Sequence, residues 1–129
     1  MGSNDSTSRF LTGSRILIVE DEFYLADDLA GALKRRGAEI LGPVGTLDQA
    51  REAVSAGGFD CAIVDMNLRG DMAFPIADQL LEAGIPFLIA TGYNSAALPA
   101  RFADVPVVEK PSDTSKIIEA IPSLLVPPR

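Results

Sequence analysis

From residue 15 onward the chain alternates between short, wholly apolar runs and longer segments whose apolar positions recur every three or four residues. "RILIVE" (15–20) reads as a strand buried on both faces, because no polar residue interrupts Ile16 to Val19. "FYLADDLAGALKRRG" (23–37) follows, with Phe23, Ala26, Leu29, Ala30 and Leu33 at helical spacing and Gly37 at the stop. "AEILG" (38–42) predicts a second short strand. Thr46-Leu47-Asp48-Gln49 has the form of a capping box, opening a helix through Ala50 and Val54 to Gly57-Gly58. The unit then repeats: "CAIVD" (61–65) is a third strand, and "FPIADQLLEAG" (74–84) a third helix with Pro75 near its start and Gly84 at its end. "PFLIAT" (86–91) and "VPVVE" (105–109) predict the fourth and fifth strands. Ser112 or Asp113 can cap a last helix carrying Ile117, Ile118 and Ile121, which Pro122 is expected to end near Ile121. Between the fourth and fifth strands, "GYNSAALPARFAD" (92–104) leaves room only for a short or mobile fourth helix, interrupted by Pro99.

Strand and helix alternating in this way imply an α/β fold: a doubly wound parallel sheet of five strands with helices on both faces. The flavodoxin-like order 2-1-3-4-5 is the common solution at this size. A length of 129 residues with 47% hydrophobic content suits one domain with a single core. The domain is expected over 15–126, with 127–129 as a tail. The polar lead "MGSNDSTSRFLTGS" (1–14) is expected to be disordered or a cloning remnant.

Composition removes whole classes of function. A net charge of −7 with 11 scattered basic residues argues against direct nucleic-acid binding, which needs clustered Lys and Arg. Histidine is absent, so Ser-His and Cys-His nucleophile pairs and imidazole zinc ligands are excluded. Any phosphohistidine involved belongs to another protein. Cys61 is the single cysteine, which forbids an intrachain disulfide, and its apolar surroundings mark it as a packed small residue. No apolar run approaches the ~18 residues of a membrane span, and the lead lacks the basic start and apolar centre of a signal peptide. A cytoplasmic setting is the expectation.

What chemistry remains sits at strand ends. Glu20, Asp21 and Glu22 follow the first strand, Asp65 ends the third, Thr91 the fourth, and Lys110 follows the fifth. In parallel sheets ligands bind beyond these carboxyl ends, and the order 2-1-3-4-5 makes the first and third strands neighbours, so Asp21 and Asp65 should converge. Carboxylates brought together repel one another and raise each other's pKa unless a cation intervenes. Mg²⁺ suits such a site, since it takes a few carboxylates and keeps waters that phosphate oxygens can replace. Taken singly, Glu22 is a solvated loop acid, Thr91 a strand-end hydroxyl and Lys110 a surface lysine. Together with Glu20, Asp21 and Asp65 they form a constellation that chance rarely makes.

The segments "ILIVEDE" (16–22), "AIVDMNL" (62–68), "IATGY" (89–93) and "EKP" (109–111) resemble the receiver domains of bacterial two-component response regulators, over Arg15 to about Leu125. "PFLIATGY" (86–93) is further similar to the single-domain variant carrying a Phe-Ala-Thr-Gly-X-Tyr motif. The resemblance implies a CheY-like fold with Asp65 as phosphoacceptor. It implies Mg²⁺ held by Glu20, Asp21, Asp65 and the backbone carbonyl of Asn67, Thr91 bonding the phosphoryl group, and Lys110 pairing with it. The implied function is a signalling module that catalyses only its own phosphorylation and dephosphorylation. It would take phosphate from a histidine kinase or histidine phosphotransfer protein and switch a protein-binding surface through Thr91. Two positions depart from the family pattern. Val107 stands three residues before Lys110, where many receivers carry an aromatic residue, and Tyr93, two residues after Thr91, is the candidate to take over its switching role. Two other readings compete: a receiver-like scaffold that is never phosphorylated, and a haloacid-dehalogenase-type phosphatase. The latter needs a second acid where Asn67 stands.

Overall fold

Each central strand carries apolar side chains on both faces, so the sheet it joins needs a helical cover on each side. The computed structural model describes residues 11–92, 98–110 and 114–125. Its main sheet comprises β1 (Arg15–Val19), β2 (Glu39–Val44), β3 (Cys61–Asp65), β4 (Phe87–Thr91) and β5 (Val107–Glu109), all parallel, in the order β2-β1-β3-β4-β5. The helices are α1 (Phe23–Arg35), α2 (Leu47–Ala56), α3 (Phe74–Ala83) and α4 (Thr114–Leu125). The expected flavodoxin-like 2-1-3-4-5 topology is therefore the one observed.

The two-residue period of a strand sorts the core into two halves. Leu17, Val19, Ala62, Val64, Phe87 and Ile89 face α2 and α3, where Ala50, Val54, Ile76, Ala77 and Leu80 meet them. Ile16, Ile18, Cys61, Ile63, Leu88 and Ala90 face α1 and α4, against Leu29, Leu33, Ile117, Ile118 and Ile121. Burial first, and the nearby Asp60 charge second, push the Cys61 thiol up to about 12, so this cysteine is inert packing. The N-cap half of the capping box forms as read, the Thr46 hydroxyl accepting the Gln49 N–H at 3.1 Å, while the Gln49 amide oxygen reaches one residue further back and accepts the Gly45 N–H at 3.1 Å. Among the described residues, no helix is long and apolar enough to cross a membrane.

Four local expectations give way to tertiary packing. Residues 11–14 are not a disordered lead, because Leu11 is fully buried in the cluster beneath α1 and α4. Its N–H donates to Arg36 O at 3.0 Å, the Ser14 N–H returns to Leu11 O at 2.9 Å, and Glu39 N–H bonds Ser14 O at 2.9 Å. Thr12 crosses Gly37 so closely that a Cβ there would stand 2.9 Å from the Thr12 Cα, which explains the glycine beyond its φ of +96°. The last helix does not stop at Ile121 but runs through Pro122 to Leu125. Leu124 and Leu125 lie half-buried on the core beyond the proline, and their burial is of the same size as the ~3 kcal/mol that proline costs inside a helix. Phe23 has helical spacing yet is 72% exposed, and its ring meets Tyr24 edge-on at 5.4 Å instead of the core. Finally, β2 extends through Pro43 to Val44, which an edge strand tolerates because no neighbour needs the missing N–H.

Of the short fourth helix, the described part is a single 3₁₀ turn, Ala100–Phe102; residues 93–97 lie outside the described residues, as does the candidate cap at 112–113. Phe102 is buried and stacks on Phe74 at 6.1 Å, while Arg101 binds Asp78 of α3 through both carboxylate oxygens at 2.6 and 3.0 Å.

The packing of Leu11 has a measurable consequence. Leu11→Ala should lower the unfolding free energy by roughly 2–3 kcal/mol, as truncation of a buried leucine does, read from the urea midpoint at unchanged slope. A midpoint equal to that of the unaltered protein would return residues 11–14 to an unstructured lead.

Candidate functional site

The pairing of β1 with β3 sets Val19 beside Val64, so the next residue of each strand, Glu20 and Asp65, arrives at one place on the sheet's carboxyl edge. Oxygens of Glu20, Asp21 and Asp65 lie within 4.8 Å of one another. Glu20 and Asp65 are buried, at 6% and 5% exposure, and Asp21 is half-buried. Lys110, just past β5, reaches back across the edge, and its Nζ donates to Glu20 Oε1 at 3.1 Å and to Asp65 Oδ2 at 3.2 Å.

Backbone donors hold the other oxygens. Glu22 N–H bonds Glu20 Oε2 at 3.0 Å, Asn67 N–H bonds Asp65 Oδ1 at 3.1 Å, and Arg69 N–H bonds Asp21 Oδ2 at 3.0 Å. Each acid is thus aimed by the loop that follows a strand. Thr91 ends β4 fully buried, and its carbonyl accepts the Lys110 N–H at 2.8 Å, tying the fourth and fifth strand ends together. The three acids and Lys110 border an open cleft of about 650 Å³ whose wall includes Asn67, Arg69, Gly70 and Gly92.

Every predicted site residue among the described residues is therefore brought to one edge: Glu20, Asp21, Asp65, Asn67, Thr91 and Lys110. Tyr93 lies outside the described residues, and Val107 is half-buried in β5. Sequence reading missed the element after β3. Asn67–Leu68 pairs antiparallel with Asp71–Met72, leaving Arg69 and Gly70 as a two-residue hairpin loop. An X-Gly pair between two short arms is the signal that could have found it. The Asn67 side chain serves this turn, its Oδ1 accepting the Gly70 N–H at 2.8 Å.

The electrostatics follow from crowding. Burial, then hydrogen bonding with Asp65, raises the Glu20 carboxyl to about 7 in spite of the Glu22 N–H and Lys110. Burial acts to lower the Lys110 ammonium, but the charges of Asp65 and Glu20 overcome it and hold it above the ordinary lysine value. Three convergent carboxylates form an all-oxygen set of the kind a hard dication accepts, with the open cleft leaving room for its waters.

The raised Glu20 pKa fixes a sign. Folding favours the protonated acid, so its contribution is complete below the unfolded value near 4.5 and is lost as pH rises through about 7. In metal-free buffer, stability should fall between these limits by an amount on the order of 3 kcal/mol, and Glu20→Gln should flatten that slope. Denaturant melts at successive pH values check it; a slope that survives Glu20→Gln assigns the titration elsewhere.

No protein-family model matches the chain. Among solved structures, SdrG from Sphingomonas melonis Fr1 is 39% identical, with 88% of this chain matched to 97% of that one at a TM-score of 0.75. The BeF3-activated conformation of SdrG from Pseudomonas melonis Fr1 matches at the same identity over 89% and 98%, TM-score 0.73. A CheY-like response regulator receiver domain protein of Methanospirillum hungatei JF-1 shares the fold at 22% identity, over 87% and 93%, TM-score 0.76. The curated sensory transduction protein LytT of Bacillus subtilis (strain 168) is 31% identical over 111 residues, 83% of this chain and 46% of LytT. The chain spans about half the length of the curated relatives it matches. The acids gathered by β1 and β3 thus stand in a scaffold matched along nearly the full length of a 39% identical relative, and the chain belongs to the CheY-like receiver domains of response regulators.

Proposed function

We propose that this domain accepts a phosphoryl group on Asp65 from the phosphohistidine of a histidine kinase or histidine phosphotransfer protein, and that the acyl phosphate switches a protein-binding surface. The observation that carries the reading is the Lys110 ammonium held at 3.2 Å from Asp65 Oδ2 and 3.1 Å from Glu20 Oε1, beside Asp21. It puts a cation where a phosphoryl oxygen must be neutralised. Glu20, Asp21, Asp65 and the Asn67 carbonyl are the residues that would hold Mg²⁺. Bound there, the ion supplies charge neutralisation between the carboxylates and the incoming phosphoryl oxygens.

The chain's own residues do the rest. Asn67 N–H orients the Asp65 carboxylate, one of whose oxygens attacks phosphorus while the phosphorus–nitrogen bond breaks and the donor imidazole leaves with the electron pair. Lys110 exchanges its bond to Asp65 for one to a phosphoryl oxygen, and positioning with charge neutralisation is most of the catalysis such transfers need. The Thr91 hydroxyl is the group to bond the new phosphoryl oxygens, and its movement carries the loop that begins at Gly92. Phe23 and Tyr24, 72% and 83% exposed at the entry to α1, offer apolar contact for the donor protein next to the acids. The buried, unpaired Cys61 suits a reducing cytoplasm.

A phosphatase of the haloacid-dehalogenase type is disfavoured by Asn67. That position would need a general acid, and here an amide is engaged with the Gly70 N–H. A scaffold without phosphorylation gives no reason for a half-buried ammonium shared between two buried acids.

Asp65→Asn should abolish phosphorylation by acetyl phosphate and Mg²⁺, seen as loss of the added phosphoryl in the intact mass, while thermal stability stays level or rises because one charge leaves a crowded acidic cluster. Phosphorylation of that variant at another residue, such as Asp71, would sink the assignment. Mg²⁺ alone should stabilise the native protein by about 1.4 kcal/mol at roughly ten times Kd, and Asp21→Asn should remove most of the shift. A melting curve indifferent to millimolar Mg²⁺, or an equal shift in Asp21→Asn, counts against the metal site.

A further inference from the structure

The hairpin loop after β3 carries an unexpected residue. Leu68 pairs with Asp71, so Arg69 and Gly70 are the two central residues, with φ of +55° and +90°. Two positive φ values in a two-residue hairpin make a type I′ turn, where Asn, Asp or Gly is favoured at the first position and a long L side chain is strained. Among the described residues, Arg69 is the one non-glycine with positive φ. Strain of this kind persists where a side chain has work to do.

The turn is also anchored. Arg69 N–H donates to Asp21 Oδ2 at 3.0 Å, and Gly70 N–H to Asn67 Oδ1 at 2.8 Å, which fixes the loop over the cleft against the acids of β1. Arg69 borders that cleft together with Asp65 and Lys110. The other described arginines that form ion pairs are engaged elsewhere, Arg15 with Glu39, Arg51 with Asp48 and Arg101 with Asp78, whereas the Arg69 guanidinium enters no ion pair among the described residues. Lys110 is already shared between two acids. An acyl phosphate adds negative charge to a site that already gathers three carboxylates, so a further cation has a place there beside Lys110 and a bound Mg²⁺, and a guanidinium's planar fork matches two phosphoryl oxygens at once.

The geometry points to Arg69 as a second cationic anchor for the phosphoryl group on Asp65, acting from the rim of the cleft opposite Lys110's strand. This rests on the reading of Asp65 as phosphoacceptor. The turn explains the division of labour: the Arg69 backbone N–H positions Asp21, and its side chain binds the anion.

The test titrates the full chain with beryllofluoride in saturating Mg²⁺, and separately with Mg²⁺ alone, following amide resonances or heat. Three variants all keep the backbone N–H to Asp21: Arg69→Gln, Arg69→Lys and Arg69→Gly. Arg69→Gln and Arg69→Gly should weaken beryllofluoride binding about tenfold or more, the loss expected for a charge-assisted pair, with Arg69→Lys between them and the unaltered protein. Mg²⁺ alone should bind as tightly or more tightly once a nearby positive charge is gone, and Arg69→Gly should raise the melting temperature by relieving the turn. Unchanged beryllofluoride affinity in Arg69→Gln overturns the proposal. A parallel loss of Mg²⁺ and beryllofluoride in Arg69→Gln and Arg69→Gly also overturns it, assigning Arg69 to turn geometry. Failure of the unaltered protein to bind beryllofluoride, or equal binding by Asp65→Asn, overturns the phosphoacceptor reading itself, and is distinguishable because it appears without any change at Arg69.

Discussion

Glu20 and Asp65 are buried side by side at the end of the sheet, with the Lys110 ammonium 3.1 and 3.2 Å from them. Burying one carboxylate is costly and burying two next to each other is worse. The arrangement holds because each acid also accepts a backbone N–H, from Glu22 and from Asn67. Removing the ammonium or one of these N–H donors leaves an acid's buried charge uncompensated, which is why the loops after β1 and β3 and the residue after β5 must all be in register before any of them is stable. The site and the topology are in this sense one constraint.

The sheet below makes that constraint sharp. Every residue of β3 is buried, and its first four are apolar or small, so the carboxylate of Asp65 is the first polar side chain the strand offers. Helices cover both faces, leaving the carboxyl edge as the place where polar groups can meet solvent and one another. Close to so much apolar packing, each hydrogen bond and charge there counts for more than in water. The raised Glu20 carboxyl is the visible sign of it.

The strands and the site were legible in the sequence for the same reason. Apolar runs followed by Glu20, Asp65, Thr91 and Lys110 announce both a doubly covered parallel sheet and the edge where these side chains gather. What stayed hidden depends on partners remote in the chain. Leu11 sits in a polar lead, and only the cluster it shares with residues of α1 and α4 gives it a place. Pro122 breaks helices by a local rule, which loses here to Leu124 and Leu125 reaching the core. Phe23 satisfies the helical period but is left exposed at the first residue of α1, where it meets Tyr24 rather than the core. The Arg69 turn disobeys the residue preference of its own geometry, so preference could not reveal it.

The connection between the site and a surface runs through a short path. Lys110 N–H is bonded to Thr91 O, so the lysine that meets Asp65 and the threonine that begins the next loop belong to one backbone link. Further along, the described chain is fixed again: Phe102 is stacked on Phe74 and Arg101 is clamped to Asp78, both partners lying on α3. A displacement that starts at Thr91 therefore has a bound. β4 itself is packed on both faces, and the 3₁₀ turn is held by a buried ring and a bidentate ion pair. The proposed response requires no aromatic switch at Val107, whose short side chain is stiff at χ1 and cannot swing as a ring does.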